Sequence, residues 1–149
     1  MPMKVVQVSA EQTLPLRNEI LRPGKPVSTC LFDGDEQALT RHFGALDDQG
    51  QIVGIVSIFS NPHPDLPATF TYQLRGMATS EQCRGLGVGI LLIKSVEQYL
   101  TAIECVGLWA NARTEALGFY KKQGYQVMSD EFMIENVGPH YLVAKALVS

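Results

Sequence analysis

Apolar residues along this chain first alternate, then recur at helical spacing, then alternate again, with breaks at proline, glycine and aspartate clusters. Val5 to Val8 read as a short strand, and Glu11 to Leu21 as a helix carrying Leu14, Arg17 and Leu21 on one face, with Pro15 accommodated in the first turn. Arg22-Pro23-Gly24-Lys25-Pro26 stops that helix. The strand-like runs Leu39 to Leu46 and Gln51 to Phe59 are joined by Asp47-Asp48-Gln49-Gly50, so they should form an antiparallel hairpin. Pro62, Pro64 and Pro67 cannot continue a ladder, and a longer strand is expected after them, from Phe70 to Thr79. Leu86, Ile90, Ile93, Val96 and Leu100 recur every three or four residues, the pattern of one buried helical stripe. Cys105 to Ala110 reads as a strand, Thr114 to Gln123 as a short helix closed by Gly124, and Tyr141 to Leu147 as a final strand.

The 149 residues suit a single domain spanning 1–149, with a hydrophobic fraction of 46% and 18% charged residues. No apolar run approaches the roughly 20 residues that span a bilayer. The N-terminal MPMKVVQVSAEQ lacks the basic-then-apolar pattern of a signal peptide, so a cytoplasmic location without membrane attachment is expected. Cys30, Cys83 and Cys105 are an odd number at irregular spacing, which fits reduced thiols rather than a disulfide framework. With 15 acidic against 12 basic residues and no basic cluster, nucleic acid is a poor partner. His42, His63 and His140 share no short ligand spacing with one another or with the cysteines, so no metal site is expected.

The most informative stretch is Arg84-Gly85-Leu86-Gly87-Val88-Gly89, between an expected strand and an expected helix. Backbone amides at such a turn have no helical partner, and glycines admit positive φ and close approach of an anion. A tight turn with no ligand remains open. Two nucleotide motifs fit worse. The dinucleotide fingerprint needs an acidic residue ending the next strand, whereas Glu104 precedes Cys105 to Ala110. A Walker A loop needs Gly-Lys-Ser/Thr, whereas this turn runs into Gly89-Ile90-Leu91.

Arg84 to Gly89 matches the pyrophosphate-loop pattern [RQ]-x-x-G-x-[GA], and it follows Leu74-Arg75-Gly76-Met77-Ala78-Thr79. Leu108 to Ala110, Ala116, Phe119-Tyr120, Lys122 and Gly124-Tyr125 come after it in the expected order. In these residues the chain resembles the GNAT superfamily of acetyl-CoA-dependent N-acetyltransferases, most specifically from Tyr72 to Tyr125. The resemblance implies an α+β fold, a central mixed and mostly antiparallel sheet flanked by helices, with splayed fourth and fifth strands. It implies that Arg84, Gly85, Leu86, Gly87, Val88 and Gly89 bind the CoA diphosphate, and that Met77, Ala78 and Thr79 offer backbone to the pantetheine arm like an added strand. Asn111 would bond the pantetheine amides, although the family's usual asparagine falls at Arg113.

Acetyl transfer to a primary amine needs a neutral nucleophile, a stabilised oxyanion and a proton for the departing thiolate. Tyr120 matches the tyrosine the family places near the CoA sulfur, and a backbone N–H near Met77 or Ala78 would meet the oxyanion. The glutamate that many relatives carry on the fourth strand is missing from Phe70 to Arg75. His140 is the candidate base, against the plainer reading of a turn-end histidine bonded to backbone. His42 is a weaker candidate for the acceptor site, and His63 is expected to be solvated. Leu16-Arg17-Asn18, Leu21-Arg22-Pro23-Gly24, Phe32 and Tyr72 would line the acceptor pocket. The acceptor is a small-molecule or peptide amine, and a homodimer is a possible assembly. The alternative is a non-catalytic sensor or regulatory module that binds acyl-CoA through the same turn.

Overall fold

In the computed structural model, which describes residues 3–147, Ser9 starts the first helix. Its hydroxyl accepts from the Gln12 amide at 3.2 Å, while the Gln12 side chain accepts from the Ser9 amide at 2.8 Å. This reciprocal box satisfies two of the N–H groups that a helix start leaves bare. The elements are β1 (Lys4–Val8), α1 (Ala10–Leu16), β2 (Arg41–Leu46), β3 (Ile52–Ser60), β4 (Tyr72–Thr79), α2 (Val88–Ala102), β5 (Gly107–Arg113), α3 (Leu117–Lys122), β6 (Gln126–Val127), β7 (Phe132–Ile134) and β8 (Gly138–Ala146). They fall into two units: residues up to Ser60 with Arg75–Tyr99, and Asn61–Leu74 with residues from Leu100 onward.

In the first unit β1, β2 and β3 form an antiparallel meander, with Val6 opposite Gly44 and Phe43 opposite Val56. The Asp47 carboxylate accepts from the amides of Gln49 and Gln51 at 2.9 Å, closing the expected hairpin. Arg75–Thr79 of β4 follows β3 in the strand order. Side chains alternate across the sheet, so Ile55 packs with Leu16 and Ala78 on the α1 face while Gly54 meets α2 on the other. A β-carbon on Gly54 would lie 2.6 Å from Val88 Cγ1 and 3.0 Å from Leu92 Cδ1, so the bare backbone is what lets α2 sit close.

Two expectations need correction here. The buried stripe of α2 is Val88, Leu92, Ile93, Val96 and Leu100; Leu86 precedes the helix and is 64% exposed, and Ile90 is 40% exposed. Pro15 lies in the last turn of α1 rather than the first, and beyond it the chain widens into a π-turn over Arg17–Leu21, closed by Arg22 N–H to Arg17 O at 3.0 Å. A proline in that position lacks the amide for a normal helical bond, and a widened turn accommodates the loss. The buried face is accordingly Ala10, Thr13, Leu16 and Arg17.

In the second unit Tyr72–Leu74 of β4 runs parallel to β5 over three pairs, ending at Leu74 opposite Ala110. β5 is antiparallel to β8 from Gly107 opposite Ala146 to Arg113 opposite His140. β6 and β7 also pair with β8. The sheet pairing is therefore mixed and mostly antiparallel, with helices packed on it, as expected. The core here is Leu66, Trp109, Leu142 and Ala144 with Phe70 and Phe132, and Trp109 Nε1–H donates to Asn61 O at 2.7 Å. Gly124, at φ +92°, ends α3 with Tyr125 N–H bonded to Tyr120 O at 3.0 Å. β8 begins at Gly138, ahead of the expected Tyr141, because β7 pairs with its first residues.

Candidate functional site

The glycine turn has the backbone geometry its sequence suggested. A 3₁₀ turn over Glu81–Cys83 buries Cys83, and Leu86 N–H closes onto Cys83 O at 3.1 Å. Gly85 and Gly87 adopt φ of +80° and +78°, with nothing within 4 Å of where a side chain would stand. The first helical bond of α2 runs from Leu91 N–H to Gly87 O at 3.0 Å, so the amides of Val88, Gly89 and Ile90 carry no helical partner. No acidic side chain occupies the first turn of α2. Val88, only 3% exposed, anchors the turn against the sheet while Arg84 and Leu86 stand in solvent. A row of amides without helical partners at the positive end of a fifteen-residue helix, beside an exposed turn, can receive a phosphate or diphosphate. Just before it on β4, Ala78 is buried against Leu16 and Ile55, while Met77 and Thr79 are half-buried.

Sequence reasoning missed the most connected polar cluster of the first unit. Arg17, 0% exposed, makes a bidentate pair with Asp35 at 2.8 and 3.0 Å, and donates further to Cys30 O at 3.0 Å and Ser57 Oγ at 3.1 Å. Its Nε–H has no partner among the described residues. His42 Nε2 faces the Asp35 carbonyl at 2.9 Å, which can only accept, so the proton sits on Nε2. Nδ1 then accepts from the Ser57 hydroxyl at 2.6 Å. Burial would raise the Asp35 carboxyl, but hydrogen bonds from Arg17 and the Phe32 amide, with the charge of Arg17, outweigh it and hold the group below its ordinary value.

This network corrects two expectations. His42 has both ring nitrogens committed, and Arg17 is sealed inside rather than facing an acceptor. Asn18 ties the following loop by donating to Arg22 O at 3.0 Å and Lys25 O at 2.9 Å, while Arg22, Pro23 and Gly24 are exposed. Residues 31–37 line an open depression of about 470 Å³.

Beside that depression the Arg75 guanidinium lies 4.4 Å from the Phe32 ring centre and 5.3 Å from that of Phe59. Arg75 is half-buried, with no hydrogen bond or ion pair among the described residues. Burial lowers its pKa from the ordinary value and the neighbouring Arg17 charge adds to that, while the charges of Asp35 and Asp33 oppose it without reversing it.

In the second unit, Asn111 and Arg113 are half-buried on β5, opposite Leu142 and His140. Nδ1 of His140 faces Gly138 O at 2.8 Å, which puts the proton on Nδ1 and leaves Nε2 with its lone pair; the ring stacks on Phe132 at 6.2 Å. Tyr120 is buried between Phe119 and Tyr125, with ring centres 5.5 and 5.4 Å away, and burial pushes its phenol well above the ordinary value. No hydrogen bond engages its hydroxyl among the described residues. Tyr72 is buried, and His63, expected in solvent, is half-buried edge-on to Trp109 at 4.8 Å.

The family model for the acetyltransferase (GNAT) family matches residues 10–125. The chain belongs to the GNAT acetyltransferase family. An uncharacterised N-acetyltransferase, YitI of Bacillus subtilis (strain 168), is 33% identical over 145 residues, covering 97% of each chain. Among solved structures, an aminoglycoside 6'-N-acetyltransferase complexed with coenzyme A superimposes with a TM-score of 0.75 at 13% identity, covering 97% of both chains. An acyl-CoA N-acyltransferase from Pseudomonas aeruginosa does so with a TM-score of 0.74 at 16% identity, covering 97% of this chain and all of that one. At such identities these two report the shared GNAT fold. No helix among the described residues of this GNAT protein is long and apolar enough to cross a membrane.

Proposed function

We propose that this GNAT acetyltransferase moves the acetyl group of acetyl-CoA onto a primary amine by direct attack on the thioester. The observation that carries the reading is the turn from Arg84 to Gly89, whose open, positive-φ glycines and unpartnered helix-end amides suit the diphosphate of CoA. In this reading Met77 and Thr79 offer β4 backbone to the pantetheine arm, Asn111 bonds its amides, and a β4 amide at Met77 or Ala78 stabilises the oxyanion. The amine nitrogen bonds to the acetyl carbon as the carbon–sulfur bond breaks. Nε2 of His140 takes the proton from nitrogen, and Tyr120 supplies one to the thiolate. Burial keeps the phenol protonated at working pH, so it has a proton to give, though it gives it less readily than a free phenol would.

The acceptor carries an oxyanion as well as an amine. Asp33 and Asp35 act on the half-buried Arg75 only through space, and no carboxylate among the described residues bonds its guanidinium, whose fork geometry suits carboxylate or phosphate groups. Arg113 is a second half-buried arginine without an ion pair among the described residues.

The test is acetyl-CoA-dependent release of free CoA over a panel of amines, alongside Tyr120→Phe and Gly87→Val. Turnover of oxyanion-bearing amines, slowed by the first change and abolished by the second, is the expected result. Tight acetyl-CoA binding with no turnover on any amine would point to the sensor, and no binding would remove both readings.

A further inference from the structure

The Arg75 guanidinium is held by rings and not by hydrogen bonds, so the question is what holds the rings. Phe32 is fixed from two directions. Its amide donates to Asp35 Oδ2 at 2.9 Å, and the Arg17 guanidinium lies 3.8 Å from its ring centre. Asp35 grips Arg17 with both oxygens, and its carbonyl receives His42 Nε2–H, so the loop that carries Phe32 is clamped onto the π-turn after α1 and onto β2. Phe32 in turn tilts against Phe59 of β3 at 6.4 Å.

The strand beneath is shaped for the same contact. Gly76 adopts φ +68°, and a β-carbon there would stand 2.9 Å from Phe32 Cε2. Arg75 and Gly76, although consecutive, both face Phe32, the behaviour of a bulged strand. Two guanidiniums therefore lie against one ring, at 3.8 and 4.4 Å. Asp35 takes both hydrogen bonds of its carboxylate from Arg17, so Arg75 feels Asp35 and Asp33 only through space and has no ion pair of its own among the described residues. The contacts with the two rings hold its guanidinium in place and leave its N–H groups without a hydrogen bond among the described residues.

We infer that Asp35, Arg17 and Phe32 are positioning residues for the acceptor: the buried ion pair sets the Phe32 ring, and the ring sets the Arg75 fork that receives the acceptor's oxyanion. This rests on the acetyltransferase reading above. None of the three needs to touch the acetyl group.

The experiment measures steady-state CoA release with an α-amino acid, its aminoalkylphosphonate analogue and its carboxamide, for wild type, Phe32→Leu, Phe32→Tyr and Asp35→Asn, with melting curves run beside them. In Phe32→Leu the KM for the oxyanion-bearing amines should rise roughly tenfold, the loss of a partly desolvated cation–π contact. The KM for acetyl-CoA should stay within about twofold, and selectivity over the carboxamide should fall towards one. Phe32→Tyr keeps the ring and should restore that selectivity. Asp35→Asn should mimic Phe32→Leu below its melting temperature; if it does not fold, the two Phe32 variants decide alone. Unchanged selectivity in Phe32→Leu, or equal loss for acceptor and acetyl-CoA, overturns the positioning role. Carboxylate and phosphonate arms separate the two oxyanions. A wild type that favours neither over the carboxamide removes the Arg75 assignment and leaves the acetyltransferase standing, whereas a wild type for which none of the amines stimulates CoA release removes both.

Discussion

Replacing Gly54 by alanine tests whether the glycine turn, the proposed diphosphate site, is held where it is by backbone packing. The added methyl would stand 2.6 Å from Val88 Cγ1 and 3.0 Å from Leu92 Cδ1, both on buried residues of α2. Carbon atoms pack best at roughly 3.5–4.0 Å, so the helix must retreat by about an ångström or the sheet must bend. Overpacking of that kind costs about 1–3 kcal/mol. For a chain of this length about 2 kcal/mol corresponds to a melting point lower by roughly 4–8 °C. Val88 is also the first residue of α2, so its retreat drags the turn from Arg84 to Gly89, and acetyl-CoA affinity should weaken along with stability. Calorimetry and a direct binding titration read the two effects. In the Gly54→Ala/Val88→Ala double variant the smaller Val88 side chain makes room, so its destabilisation should be less than the sum of the singles. A Gly54→Ala protein that melts with the wild type, or single losses that simply add, would refute the packing argument.

Three further outcomes follow from burial and charge. The Asp35 carboxyl titrates below its ordinary value, so the stability it lends is complete above about pH 4, where unfolded aspartates ionise, and is lost as pH falls through the folded value. Urea midpoints at pH 7 and pH 3 should show this loss in wild type and a weaker one in Asp35→Asn, which should be less stable at pH 7 by roughly 3–5 kcal/mol because Arg17 is left as a lone buried cation. The Tyr120 phenol titrates above its ordinary value of 10.0, so the folded state holds the proton more tightly and loses stability as pH rises past about 10; Tyr120→Phe should remove that alkaline component in urea titrations at pH 8 and 11. Gly118 lies in α3 with open space where a β-carbon would stand, so Gly118→Ala should raise stability by about 0.5–1 kcal/mol, and a lower urea midpoint would contradict this.

Local chemistry made much of this molecule legible. Asp47 to Gly50 specifies a hairpin because an aspartate that caps its own turn and a glycine at φ +78° are set by neighbours in sequence. Arg84 to Gly89 was readable for the same reason, as glycines permit positive φ wherever they stand. The Ser9–Gln12 capping box was also present as a four-residue signal, and reading it would have started α1 at Ala10 and kept Pro15 out of the first turn. β6 and β7, of two and three residues, carry no periodicity to detect and exist because β8 supplies their partners.

The sequence by itself determined the order of the main elements, the glycine turn and the family, since each rests on residues close along the chain or on a short motif. Only the tertiary structure decided what the polar side chains do. Arg17 and Asp35 are 18 residues apart and Arg17 and Ser57 are 40, so nothing local marks them as partners. Leu86 and Ile90 fit the helical stripe by spacing, but which side of α2 is buried depends on Gly54 and the sheet it belongs to. The exposure of a charged fork such as Arg75 depends on which rings arrive beside it, and those rings come from a loop and a strand that meet only in the folded chain.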